Sequence, residues 1–377
     1  VPSAEQGFRS GTEIRSRNHA ASRTEATYRP GRLSTVGGMK GSAAVAGGGI
    51  AGLCAAAYLR ARGWDVTVFE RADRLPATGT ALGMWPSAVR ALDEIGVGGR
   101  VRSLGVEQHH AEIRRPDGRV VAGGDTRGAA YLLSRPALLA ALAEVVPGDA
   151  TVFGTPAPAI ADLSAADVII GADGLRSPTR RQLFGAGHEP RYVGRTAWRG
   201  WVPGHRDGVV ETWDTDALFG LTPRDGGLIN WFASVRTAPG NDEGLAGVRS
   251  RFGSWHPEIR EVLAAATAET TLQHDLYESP PLPSYVRDNV ALVGDAAHAM
   301  APNLGHGACE AIVDGVTLGR LLVAGPDVRT ALRRYDRRRR MPTRLLVRAS
   351  RLAADVAMAG RGRRSRDRVL RTLTALT

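Results

Sequence analysis

The sequence predicts an α/β fold in which a parallel sheet begins near the N-terminus, yields to an antiparallel sheet, resumes late in the chain and is followed by helices. Three observations predict it. The apolar run from Ser42 to Ala46 meets a glycine cluster and continues as an Ala/Leu-rich helical pattern to Leu59. Apolar stretches at Val66–Phe69, at Asp167–Gly174 (ending in a turn) and at Asn289–Asp295 read as buried strands of the parallel type. From about Arg191 to Thr237, Trp198, Trp201, Trp213, Phe219, Trp231 and Phe232 stand among alternating apolar and polar positions, as in an antiparallel sheet with one packed face.

The glycine cluster has the spacing G-x-G-x-x-G at Gly47, Gly49 and Gly52. Gly47 permits a tight strand-to-helix turn, Gly49 lets backbone approach a pyrophosphate, and Gly52 lets the helix pack close to the strand. Phosphates would sit at the helix N-terminus, against the free N–H groups of its first turn at Ile50 and Ala51. The second apolar run ends on Glu70, 23 positions after Gly47, where this Rossmann-like unit needs an acceptor for two ribose hydroxyls. Charge-assisted hydrogen bonds of roughly 1.5–3 kcal/mol each would select an unmodified adenosine ribose. The alternative is an ordinary βαβ unit with a surface glutamate.

Along the chain, residues 1–38 are polar, without sustained periodicity and without the apolar core of a secretory signal; they read as a flexible extension, or as preceding a start at Met39. Residues from Pro76 to Trp85 read as loop, and Pro86 opens a helix that Gly96 closes. Residues 106–122 read as a hairpin around Pro116-Asp117-Gly118. Ser134 and Pro136 then mark the start of a helix that runs to Pro147. A helical stretch is expected over 242–266, a strand near 271–277, a helix over 307–323 and two more helices to finish.

Composition bounds the function. The chain has 377 residues, 43% hydrophobic and 23% charged, as in a globular protein with a proper core. No apolar run approaches the roughly 20 residues of a membrane span. Cys54 and Cys309 both fall in predicted helices and form no disulfide framework, so a reducing, cytoplasmic setting is expected. The net charge of +11 is uneven: +3 in residues 1–38, +13 in 329–377 and −5 between them. A basic tail can attract nucleic acid, but no aromatics interleave with its arginines, and a solvated helix pair is the preferred reading. His109 and His110 are adjacent and would point to opposite strand faces, and no other metal-ligand spacing occurs.

Three signatures stand in order: GGGIAG with Glu70, then IIGADGLRSPTRR, then NVALVGDAAHAMAPNLGHGACEAIVDG. Together they resemble the single-component FAD-dependent aromatic hydroxylases, the p-hydroxybenzoate hydroxylase-like flavoprotein monooxygenases. The resemblance runs from about Ser42 to Arg340, and its wording is nearest the urate-, nicotinate- and salicylate-hydroxylase-like and epoxidase-like branches. GTALGMWPSAVRALDEIGV resembles the family's flavin-side loop, with Gly83 in it, and SRPALLAAL its arginine-led helix.

The resemblance implies a Rossmann-like FAD-binding domain with an inserted antiparallel-sheet substrate domain and C-terminal helices. Its parts would be 39–190 and 285–330 for FAD, 191–284 for substrate and 331–377 for basic helices. Glu70 would bind the adenosine ribose, with Arg71 near the adenine. Arg135 would approach the pyrophosphate or ribityl chain, and Asp295 the ribityl hydroxyls. Asp173 would organise the pyrophosphate site and the transient docking of NADH or NADPH, with Ser177 and Arg180 holding its loop. Asp173 and Asp295 have the alternative reading of helix caps or turn formers.

Pro302 would lie near the reactive edge of the isoalloxazine, and Leu304, Gly305, His306, Gly307 and Ala308 would present backbone N–H groups to its N1/O2 side. The implied chemistry adds O2 to reduced flavin and passes oxygen from a flavin hydroperoxide to a small aromatic or heteroaromatic substrate, away from water. Pro302 and His306 are the candidate residues nearest that chemistry; a packing role for His306 is the alternative.

The sequence departs from the family's pattern at His306, where Gln is usual, at Ser87, where Asn is frequent, and in a shortened stretch between Arg135 and Asp173. The substrate face is expected on the antiparallel sheet, with Arg199, Trp213, Phe219 and Trp231 as candidates, although alternation turns half of such residues to the other side. Another FAD oxidoreductase (an epoxidase, an oxidase or a halogenase-like enzyme) is the nearest rival. Halogenase chemistry needs an active-site lysine, and Lys40 is the only lysine in the chain. A non-catalytic binding protein on a nucleotide fold is the rival of a different class. No nucleic-acid or membrane partner is expected, and the protein is read as a monomer or homodimer.

Overall fold

The structure is a computed structural model and describes residues 40–360, 366–368 and 370. The expected extension over 1–38 and part of the second expected C-terminal helix lie outside the described residues.

The chain opens as its glycine spacing predicts. β1 (Ser42–Ala46) runs into α1 (Ile50–Arg60) and returns through β2 (Asp65–Phe69), which pairs in parallel with β1, Ala46 opposite Phe69. The stretch from Pro76 to Trp85, expected as loop, contains β3 (Ala81–Met84). This strand exists through tertiary pairing, antiparallel to Tyr131–Ser134, and four residues are too few to carry a sequence period. α2 (Pro86–Glu94) opens at the expected proline and α3 (Gly98–Leu104) follows. The expected hairpin is β4 (Val106–Arg114) and β5 (Val120–Ser134), and β5 leads directly into α4 (Arg135–Val145). Ser134 Oγ accepts the Ala137 N–H at 3.3 Å as the N-cap of α4.

β6 (Thr151–Val152), β7 (Val168–Gly171) and α5 (Pro178–Phe184) precede the long strands β8 (Arg191–Pro203), β9 (Val209–Asp214), β10 (Ala217–Arg224) and β11 (Leu228–Arg236). The helical stretch expected over 242–266 is two helices, α6 (Gly244–Phe252) and α7 (Pro257–Ala265). Pro257 has no N–H to continue a helix and starts a new one instead. β12 (Thr271–Glu278), β13 (Val286–Arg287), β14 (Val290–Leu292), α8 (Asp295–His298), α9 (Gly307–Ala324) and α10 (Val328–Ala357) complete the order.

Two sheets result. The first has the strand order β13-β14-β7-β1-β2-β6 and is parallel except at its β13 edge. α9 closes on α1 through small residues: a Cβ on Gly315 would fall 2.5 Å from the Ala51 carbonyl oxygen, and one on Gly319 2.8 Å from the Tyr58 ring. That contact brings the third sequence signature onto the first.

The second sheet has the order β12-β8-β11-β10-β9-β4-β5-β3. The expected division at residue 191 does not separate the two sheets. β4 pairs in parallel with β9, Ala111 opposite Val209, so strands from before that boundary extend the later sheet. One face of this sheet is buried under α6 and α7, where Trp198, Phe219 and Trp231 pack with Phe252, Trp255 and Ile259. No helix among the described residues is long and apolar enough to cross a membrane.

Candidate active site

The site begins where β1 turns into α1. Gly47 has φ +110°, and a Cβ there would fall 2.4 Å from the Ala172 carbonyl oxygen at the end of β7. A Cβ on Gly52 would fall 2.0 Å from the Gly47 carbonyl oxygen, so only glycine lets α1 start this close to the turn. At Gly49 nothing lies within 4 Å. The backbone there is open and no side chain caps α1, so nothing blocks the approach of an anion to its first turn at Ile50 and Ala51.

Glu70 is tied to this turn. Its Oε2 accepts the Gly48 N–H at 2.8 Å and its Oε1 the Ala72 N–H at 2.9 Å. A carboxylate accepts about four hydrogen bonds, which leaves room for two ribose hydroxyls. Arg71 beside it is exposed.

The second signature is a loop bonded tightly to itself. Both Asp173 oxygens are engaged inside their own loop: Oδ1 accepts the Ser177 hydroxyl, and Oδ2 accepts the Thr179 N–H (2.8 Å) and hydroxyl (2.7 Å). Asp173 thus clamps the start of α5, as in the turn-forming alternative, and its three accepted hydrogen bonds leave about one acceptor site open. Ser177 caps α5 by accepting the Arg180 N–H at 2.9 Å. Arg180 is 1% exposed and reaches the Asp295 and Ala296 carbonyl oxygens at 3.3 and 3.1 Å, fastening this loop to the third signature.

In the third signature, Gly294 (φ +58°) turns the chain so that the exposed carboxylate of Asp295 starts α8. It accepts no hydrogen bond and makes no ion pair among the described residues. Pro302 and Leu304 form a single helical turn, Gly305 adopts the left-handed conformation (φ +64°), and α9 begins at Gly307 and Ala308 with His306 preceding it. Gly83 comes to the same place from β3, because its carbonyl oxygen accepts the Cys309 thiol at 3.1 Å. Burial pushes that thiol up to about 12, a structural cysteine rather than a reactive one.

Two residues here were not singled out from sequence. The Trp85 ring stacks on His306, centroids 5.4 Å apart and planes 8° from parallel. Trp85 Nε1, His306 Nδ1 and Asn303 Oδ1 are buried without a hydrogen-bond partner among the described residues. The orphaned Trp85 Nε1 and Asn303 Oδ1 beside an unblocked helix N-terminus fit the polar edge of a flavin ring.

Behind that edge lies a chain of polar side chains. His306 Nδ1 is 3.9 Å from Glu310 Oε1, Arg339 of α10 bonds Glu310, and Arg339 Nε reaches Asp314 Oδ1 at 2.5 Å. Asp314 Oδ2 is 2.6 Å from His298 Nε2. Burial opposes the charge on Asp314, yet His298 and Arg339 outweigh it and hold the carboxyl down at about 2. Burial likewise opposes a proton on His298, and Asp314 prevails and raises its affinity. The spacing 306, 310, 314 along one helical face was the signal available in the sequence.

The substrate candidates divide by strand parity. Arg199 faces Phe232 across the β8–β11 pair, Phe232 faces Gly220, and Gly220 faces Glu211. This is the face that Asn230 fastens to β3, accepting the Ala81 N–H at 2.9 Å. Arg199 is half-buried, within the electrostatic reach of Arg135 and Asp295, and makes no ion pair among the described residues. Arg135 itself is exposed at the start of α4. Phe219 and Trp231 are 0% exposed on the opposite face, beneath α6 and α7, and are withdrawn from the substrate candidates. Trp213 shares the face of Arg199, but it packs with Leu218, Ala357 and Met358.

Fold and site define a Rossmann-type dinucleotide-binding protein with a second, mostly antiparallel sheet. Comparison with known proteins narrows the class. The family model for an FAD binding domain matches residues 160–350, and that for an FAD dependent oxidoreductase matches 42–107. The chain is 30% identical over 319 residues to the aurachin C monooxygenase/isomerase of Stigmatella aurantiaca, covering 78% of this chain and 83% of that one. It is 34% identical over 331 residues to the 3-amino-4-hydroxybenzoate 2-monooxygenase of Streptomyces cremeus, covering 78% and 82%. Klebsiella pneumoniae HpxO, solved with FAD and uric acid, superposes with a TM-score of 0.80 at 25% identity, covering 88% of this chain and 93% of that one. The chain belongs to the FAD-dependent aromatic hydroxylase family of flavoprotein monooxygenases. It is an enzyme of that type, and FAD is its cofactor.

Proposed function

We propose that the protein hydroxylates a small aromatic or heteroaromatic acid, using O2 and electrons from NADH or NADPH. The observation that carries the anionic substrate is Arg199: a half-buried guanidinium without an ion pair among the described residues, on the sheet face joined to the cofactor loop. A half-buried cation without a partner has lost part of its solvation and regains it from an anionic ligand.

Bound FAD would supply the two-electron and oxygen chemistry. Glu70 would hold the adenosine ribose, Arg71 would border the adenine, and the first turn of α1 would hold the pyrophosphate with Arg135 nearby. Asp295 would hold the ribityl chain. The backbone from Leu304 to Ala308 would face the N1/O2 side of the ring, with Gly83, Pro302, Trp85 and His306 around it. The second sheet then keeps water from the reacting edge and orients the substrate through Arg199.

The test is direct. With FAD saturated, a true substrate accelerates NADH or NADPH oxidation and yields a product heavier by one oxygen atom. No oxidation above the ligand-free rate across a panel of aromatic acids would overturn the reading.

A further inference from the structure

The sheet face that carries Arg199 carries a second ionisable group. Glu211 stands at the other end of the cross-strand row formed by Arg199, Phe232, Gly220 and Glu211. Its Oε2 accepts the Trp213 indole N–H at 2.7 Å, and no hydrogen bond to Oε1 and no cationic partner occur among the described residues. Burial pushes its carboxyl above the usual range, with the Trp213 bond acting the other way. A surface glutamate would be solvated, and a structural one in a core would be paired. Glu211 is half-buried: one oxygen is pinned by Trp213 and the other has no partner among the described residues.

Between the two groups lies Phe232, which is half-buried and, like Trp213, packs in part with Leu218, Ala357 and Met358. A Cβ on Gly220 would fall 2.0 Å from the Phe232 ring, so the missing side chain is what lets that ring lie across the strand toward Glu211. Three inter-strand spacings separate the backbones of Arg199 and Glu211, on the order of 14 Å. The long arginine side chain takes up part of that span, and a flat ring system suits the remainder.

We propose that Glu211 is a specificity-determining residue whose free oxygen accepts a hydrogen bond from an N–H or O–H group on the substrate, opposite the acid group held by Arg199. The substrate class is then an aromatic acid with a donor at the far end of its rings, amino or hydroxyl, resting on Phe232. The inference deepens the proposed function and rests on its placement of an acid at Arg199.

The experiment measures binding to the FAD-loaded protein, by perturbation of the flavin spectrum and by calorimetry, with two probes: 2-naphthoate and 6-amino-2-naphthoate. Wild type is expected to prefer the amino acid by about tenfold or more, the value of one hydrogen bond to a charged group. Glu211→Met removes the acceptor at similar volume and is expected to bring that preference to unity while 2-naphthoate binding holds. Arg199→Met is expected to weaken both probes alike. A preference unchanged in Glu211→Met, no preference in wild type, or no binding of either probe overturns the proposal. Should Glu211→Met fold poorly, Glu211→Gln, which keeps an acceptor without the charge, must reduce the preference; an unchanged preference there overturns it equally. If Arg199→Met leaves both affinities unchanged, the anionic-substrate reading fails; if only the Glu211 variants behave like wild type, Glu211 alone is removed.

Discussion

Arg180 of α5 donates through Nη1 to the carbonyl oxygen of Ala296 in α8, 3.1 Å away, and so joins two signatures that stand more than a hundred residues apart in the chain. The same guanidinium reaches Ser279, Asp295 and Leu175. Arg180→Met fills similar space but strands these acceptors, each worth about 1–3 kcal/mol when left buried and unpaired. We expect the urea midpoint to fall and FAD affinity to fall with it, because the loop that positions Asp295 loosens. A variant as stable as wild type would show that the arginine is not what holds the loop.

Gly49 and Gly52 belong to one motif and fail in different ways. A Cβ at Gly52 meets backbone 2.0 Å away, and one at Gly49 meets nothing within 4 Å. Gly52→Ala is expected to cost more than about 3 kcal/mol of stability. Gly49→Ala is expected to fold normally and lose FAD affinity, since the methyl occupies the phosphate approach. Denaturant melts of both apo proteins and FAD titrations of both separate the two effects; equal behaviour would show that the open face at Gly49 is not a ligand face.

Much of this site was legible because spacing is itself geometry: three glycines and Glu70 must lie where the turn puts them. Ser134 and Pro136 marked the start of α4 for a similar local reason. What escaped depended on distant partners. β3 exists only because Tyr131–Ser134 pair with it, and the extension of the later sheet across residue 191 depends on the Ala111–Val209 register. Alternation showed that strand residues split between two faces, but not which face α6 and α7 would cover. Phe219 and Trp231 therefore looked as suitable as Arg199 until the helices were in place. Trp85 gave no signal by itself, because its neighbour His306 is more than two hundred residues away.

Glu70 offers a cleaner test as Glu70→Gln than as an alanine. Both carboxylate oxygens take backbone N–H groups, from Gly48 and Ala72. An amide keeps one acceptor and turns its NH2 toward the other N–H, so the turn loses about 1 kcal/mol of hydrogen bonding. The ribose loses a charge-assisted acceptor as well, and FAD is expected to dissociate roughly ten- to a hundredfold more readily. FAD titration beside an apo-protein melt checks both; unchanged FAD affinity would take Glu70 out of the site.

Asp314 and His298 make folding stability depend on pH from both sides. The Asp314 carboxyl is held at about 2 in the folded protein, below its unfolded value of about 3.9. Its contribution is present above the unfolded value and is lost as pH falls from about 4 through about 2. His298 is shifted upward, so its contribution is complete below about 6.5 and is lost as pH rises through its folded value. Asp314→Asn leaves Arg339 and His298 without their shared carboxylate and is expected to cost about 3–5 kcal/mol near pH 6. The acid limb between about pH 4 and 2 and the limb above about pH 6.5 are both expected to flatten in the variant. Urea unfolding across that range checks the signs, and a variant curve parallel to wild type would show that neither group carries the pH dependence.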